Sequence, residues 1–165
     1  MKILGIDPGF AIVGYGVIDY GGNRFKTIEY GAVTTEAGED MFIRFKKIYD
    51  DLTEIIERSK PDAMAIEELF FNSNQKTAIN VAQARGIILL AAMNKNVPIF
   101  EYTPLQVKQA VVGYGRADKG QVQQMVKALL NLSKIPKPDD TADALAIAIC
   151  HGHSGGSRLA SYFNQ

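Results

Sequence analysis

The 165-residue sequence predicts an α/β fold, a mixed five-stranded sheet with helices on both faces. Two observations predict it. The first fifth reads as three consecutive strands joined by tight turns, and the rest alternates strand-like and helix-like runs separated by proline and glycine. Hydrophobic content of 47% is enough for one sizeable core in a chain of this length.

Lys2 to Asp7 is almost continuously apolar, as expected of a central strand buried on both sides. Ala11 to Tyr20 is rich in Ile, Val and Tyr, and Gly21-Gly22 then supplies a hairpin turn. Arg24 to Thr35 completes an antiparallel meander. From Met41 the period changes. Met41, Phe42, Phe45, Ile48, Tyr49, Leu52, Ile55 and Ile56 recur at helical spacing, with Lys46, Lys47, Asp50, Glu54 and Glu57 opposite, until Pro61.

Ala63 to Glu67 is a short apolar strand, and the polar loop "LFFNSNQ" follows. A second helix from about Asn74 to Asn94 is apolar nearly all round, which points to burial on both sides or to self-association. Val97 to Tyr102 is the fifth strand. Helices are expected at Pro104–Val112 and Asp118–Leu132, and from Pro138 to about His151. Residues 1–153 therefore read as one domain, and 154–165 as a flexible tail. Right-handed crossovers give strand order 3-2-1-4-5, with the first and fourth strands as parallel central neighbours.

Their carboxyl ends lie side by side, where open α/β sheets place ligands. Asp7 ends one strand and Glu67 the other. Two carboxylates near an apolar core repel under weak screening, so a proton, a base or a cation must neutralise them. The segment "KPDDTADALAIAIC" adds more acids. A helix cap accounts for Asp139 or Asp140. It does not account for Asp143, a turn further in and surrounded by alanines, which shares a helix face with Asp140 at i, i+3. Asp7, Glu67, Asp140 and Asp143 together form an all-oxygen donor set suited to Mg²⁺ or Mn²⁺. Two such ions would support phosphodiester hydrolysis.

The flanking residues fit that chemistry. Phe70, with Phe71 beside it, stands just past Glu67 as an aromatic able to stack on bases, unless it tucks into the core. Lys108 and Lys119 bracket the "VVGYGRADKG" loop, which also carries Arg116, and are candidates to clamp phosphates. Arg85 interrupts the apolar second helix, either to pair with an acid or to reach a nucleic-acid backbone. His151 and His153 read as surface cations at a helix C-terminus, Cys150 as core, and Gly14 and Gly16 as points of close backbone approach.

Net charge is zero, but its distribution is uneven. Six basic residues face one acid between Tyr102 and Pro138, whereas seven acids face four bases between Glu36 and Arg58. A lone cysteine excludes a disulfide framework or a Cys-based zinc site. With no long apolar span and no secretory-type leader, a cytoplasmic location away from membranes is expected.

The segments "GIDPG", "AIEELFF", "AQARG", "FEYTPLQVKQAVVGYGRADKGQV" and "DDTADALAIAI" together resemble the RuvC family of Holliday-junction resolvases, from the first residues to about His153. The resemblance implies a ribonuclease-H-like fold and a Mg²⁺-dependent endonuclease, with Mn²⁺ as substitute. It also implies a homodimer that cuts opposing strands of four-way junction DNA, and a branch-migration motor complex as partner. The family's acids fall on Asp7, Glu67, Asp140 and Asp143, its junction-probing aromatic on Phe70, and its lysines on Lys108 and Lys119. Alternatives are a non-catalytic branched-DNA binding module, a nuclease of this fold acting on RNA–DNA hybrid, and a kinase-like ATPase. The ATPase would need a second lobe that 165 residues leave no room for.

Overall fold

A computed structural model describes residues 1–69 and 75–154, excepting the side chains of 75–77. The elements run β1 (Lys2–Asp7), β2 (Ile12–Gly21), β3 (Arg24–Thr34), α1 (Met41–Ser59), β4 (Ala63–Glu67), α2 (Gln75–Asn94), β5 (Ile99–Tyr102), α3 (Pro104–Val112), α4 (Lys119–Leu129) and α5 (Asp139–Ser154). The sheet has the expected order, β3-β2-β1-β4-β5. β1 and β4 pair in parallel, with Gly5 opposite Ala65 and Ile6 opposite Ile66. The two following residues, Asp7 and Glu67, thus end adjacent strands.

Strand alternation divides the core into two layers. Leu4, Ile6, Met64 and Ile66 face α1 and α2. Ile3 and Ala65 face the other way, towards α3, α4 and α5. Asp7 and Glu67 have the parity of Ile3 and Ala65, so both belong to the α5 face. Membrane spanning is not a use for these helices: among the described residues none is long and apolar enough.

α5 lies unusually close to the sheet. A Cβ at Gly5 would stand 2.0 Å from the carbonyl oxygen of Ala144, and one at Gly14 would stand 2.0 Å from that of Asp140. Gly14 pairs with Asp7 in the β1–β2 ladder. Glycine at these points brings the helix backbone onto the strands and carries Asp140 and Asp143 with it. Local signals set the other helices. Asp40 caps α1, and reciprocal capping boxes start α3 (Thr103 with Gln106) and α4 (Asp118 with Gln121). Asp118, the one acid in the basic segment, is therefore occupied as a cap.

Three expectations need correction. The hairpin turns at Gly22-Asn23, both at positive φ, rather than at Gly21-Gly22, because Gly21 still pairs with Arg24. His151 is not a surface cation. It is 3% exposed, its Nδ1 lies 2.7 Å from the Tyr102 hydroxyl, and burial lowers its pKa, so it is a neutral core residue between β5 and α5. Asp139 and Asp140 both lie within the first turn of α5, where negative charge complements the helix dipole. Cys150 is buried as expected, and α2 buries Ala84, Ile88, Ala91 and Ala92 while leaving Ile79, Leu90 and Met93 exposed.

Gly14→Ala is expected to destabilise the protein by about 1–3 kcal/mol, because the added methyl meets backbone that cannot yield locally. Gly38→Ala, where a Cβ meets nothing within 4 Å, should change stability by less than about 0.5 kcal/mol. Urea unfolding of the two variants checks this, and equal midpoints would mean that α5 does not rest on the glycines.

Candidate active site

β1 and β4 each deliver one carboxylate at a carboxyl end, and the first turns of α5 deliver Asp140 and Asp143 from above. The loop that follows Asp7 is pinned. The Thr35 hydroxyl donates to the Phe10 carbonyl at 2.8 Å, and the Thr35 N–H donates to the Ala11 carbonyl at 2.9 Å. Arg44, buried, stacks over the Phe10 ring at 3.7 Å and donates from Nε to the Thr35 hydroxyl. The strand end that presents Asp7 is therefore held from both sides.

Asp7 lies within the electrostatic reach of the other three acids. The Asp7 carboxyl is pushed up to about 8, first by burial and then by the charges of Asp143, Glu67 and Asp140, with Lys119 opposing. Glu67 is raised by burial and by Asp143, with Lys108 opposing. Asp143 is raised by burial and by its acidic neighbours, although its hydrogen bond to Lys119 works against the shift. The site is thus short of positive charge. Lys119 Nζ lies 3.0 Å from Asp143 Oδ2 and 3.5 Å from Asp139 Oδ2. Burial lowers the Lys119 pKa, but its contacts with Asp143 and Asp139 outweigh that and leave it raised.

The carboxylates do not close on a single point. Among the described residues no three acidic, histidine or cysteine side chains are gathered tightly enough to hold an ion as they stand. Beside them opens a cleft of about 200 Å³, in which Glu67, Asp143, Lys108 and Lys119 surround an apolar floor that includes Val107 and Val122. Pockets that enclose small molecules span roughly 300–1,000 Å³. This one suits a single group laid across the surface better than an enclosed nucleotide.

The other candidate residues are distributed unevenly. Lys108 is half-buried on α3, and Arg116 is exposed between α3 and α4. Arg85 pairs with Glu101, and its Nε lies 3.4 Å from the Glu67 carbonyl, so the acid-pairing alternative is the one observed. Phe70 and Phe71 lie outside the described residues. Sequence reasoning gave Asp139 no part beyond the helix end, yet it reaches both Lys119 and Lys137. The available signal was a second acid beside Asp140, one more than a cap needs.

A mixed sheet in this order, with acids from its central strand ends meeting acids of a crossing helix and lysines at the rim, defines a nuclease of the ribonuclease-H-like class. Comparison with known proteins narrows the class. The family model for crossover junction endodeoxyribonuclease RuvC matches residues 3–151. The protein of that name from Alkaliphilus oremlandii is 65% identical over 155 residues, covering 94% of each chain. Its counterpart from Caldanaerobacter subterraneus is 62% identical over 154 residues, covering 93% of each. The Thermus thermophilus RuvC structure superposes with a TM-score of 0.88 at 37% identity, covering 97% of both chains. A second structure of that protein, in complex with Holliday junction substrate, gives a TM-score of 0.87 at 35% identity and covers 94% of this chain and 95% of that one. The chain belongs to the crossover junction endodeoxyribonuclease RuvC family, and is an endonuclease.

The raised Asp7 pKa has a consequence for stability. The unfolded chain releases this proton near 3.8, whereas the folded protein keeps it to about pH 8. Between those values the unfolded state binds fewer protons, so stability falls as pH rises. With chelator present, wild-type stability should decline between pH 5 and pH 8.5, at up to about 1.4 kcal/mol per pH unit from this group. Asp7→Asn should remove much of that slope and exceed the wild type in Tm at pH 8.5. A parallel pH profile for the two proteins would show that Asp7 is not held protonated.

Proposed function

We propose that this chain resolves four-way DNA junctions by paired phosphodiester cuts in opposing strands, using Mg²⁺, with Mn²⁺ as substitute. The observation that carries this reading is that Asp7 and Glu67 end adjacent central strands and that α5, resting on β2 at Gly14, brings the charges of Asp140 and Asp143 to bear on Asp7. Family membership and the junction bound to the T. thermophilus relative support the substrate.

The residues fit a hard divalent cation. Their donor atoms are all carboxylate oxygens, and Asp7 is held so far from its ordinary pKa that further positive charge is favoured there. Asp7, Glu67, Asp140 and Asp143 would hold the ions. When bound, such ions activate water and stabilise the departing oxygen of a phosphodiester.

The protein's own groups do the rest. Lys108 and Lys119 face the cleft and offset charge that develops on the phosphate. The apolar floor of Val107 and Val122 keeps that corner drier and strengthens both lysines. Arg116 contacts the DNA backbone, and Phe70 with Phe71 engages bases beside the cut. Arg85 contributes to DNA binding only if its pair with Glu101 opens, and otherwise supports the end of β4. Symmetric cutting needs two sites, hence a homodimer, and the exposed stripe of Ile79, Leu90 and Met93 on α2 offers an apolar surface for it. A branch-migration motor complex is the partner that the family resemblance implies.

A synthetic four-way junction, ordinary duplex and an RNA–DNA hybrid, each with and without Mg²⁺, test this reading. The junction should be nicked symmetrically and only with the ion, and Asp7→Asn should abolish cutting while junction binding persists. Equal cutting of duplex or hybrid would overturn the substrate, and cutting by Asp7→Asn would overturn the site. Lys119→Ala should lower the single-turnover rate by about 10²-fold. An unchanged rate would remove Lys119 from the machinery.

A further inference from the structure

A single ammonium is shared between two carboxylates at the rim of the site. Lys119 Nζ is 3.0 Å from Oδ2 of Asp143, which lines the cleft, and 3.5 Å from Oδ2 of Asp139, which does not. The other oxygen of Asp139 accepts from Lys137 Nζ at 2.5 Å. Gln123, one turn beyond Lys119 on α4, is buried with its Nε2 unsatisfied. It lies close enough to Asp139 to act on its charge, though outside hydrogen-bonding geometry.

α4 gives the lysine no reason to be where it is. Lys119 is the first residue of that helix, at the positive end of its dipole, and the first turn holds no acid. Both ion-pair partners of its ammonium come from α5. A divalent cation at Asp143 and an ammonium 3.0 Å from the same carboxylate repel, so arrival of the ion favours a shift of the lysine away from Asp143.

We propose that Asp139 is a positioning residue that receives Lys119 when a divalent cation takes Asp143. The ammonium then stays beside the cleft instead of swinging into solvent, and Asp143 is released to the ion at lower cost. This inference rests on the metal-dependent reading of the site, and on two ion pairs that the same Nζ reaches from one side-chain position.

Titration of Mn²⁺ into the DNA-free protein, with free ion followed by electron paramagnetic resonance, tests it without reference to activity. Asp139→Asn should weaken Mn²⁺ binding by about fivefold in the wild-type background, but by less than about twofold in the Lys119→Ala background, a coupling typical of groups in contact. The smaller effect is the loss of one nearby negative charge. Asp139→Glu, which retains the carboxylate, should restore binding to within about twofold of wild type. Equal weakening in both backgrounds, or none in either, overturns the proposal, because Asp139 would then act as a distant charge or not at all. Asp7→Asn is titrated alongside. If it binds Mn²⁺ as tightly as wild type, the metal reading fails and the inference falls with it. If it loses Mn²⁺ while Asp139→Asn is neutral, only the inference fails.

Discussion

The close contact between α5 and the β1–β2 pair governs the rest of this molecule. Where Gly5 and Gly14 meet the carbonyls of Ala144 and Asp140, the helix rests directly on strand backbone. Any side chain there would lift the helix, and with it Asp140 and Asp143, away from Asp7. The placement of these acids thus depends on residues that have no functional groups of their own. Capping adds a second level of control, since the boxes at Thr103 and Asp118 fix where α3 and α4 begin and so where Lys108 and Lys119 stand.

Such packing collects charge that folding alone does not favour. Burial and mutual repulsion raise Asp7, Glu67 and Asp143 together, with Lys108 and Lys119 in partial opposition. In physical terms the fold gives up stability to hold these carboxyls together, as functional sites commonly do. The apolar core that carries this burden is split by strand parity into two layers, with α1 and α2 closing one face and α3, α4 and α5 the other.

Much of this was legible in the sequence because it depends on local pattern. An apolar run that ends in an acid specifies both a buried strand and the end at which the acid sits, which located Asp7 and Glu67. Asp143 was visible because a carboxylate among alanines in mid-helix has no local explanation. What stayed hidden depends on contacts between distant segments. His151 looks like a helix-end cation until β5 brings Tyr102 and Phe100 against it. Arg85 leaves two uses open until Glu101 arrives from the next strand. Asp139 looks like a cap until α4 places Lys119 beside it. Periodicity reports which face of an element is apolar, but not which charged partner the fold will set opposite it.

The central claim is that folding gathers four distant acids into a divalent-cation site. The most direct test is anomalous diffraction at the manganese edge from crystals of the protein grown with Mn²⁺. This account predicts a peak among Asp7, Glu67, Asp140 and Asp143. Manganese density elsewhere on the surface, with none among these carboxylates, would contradict it.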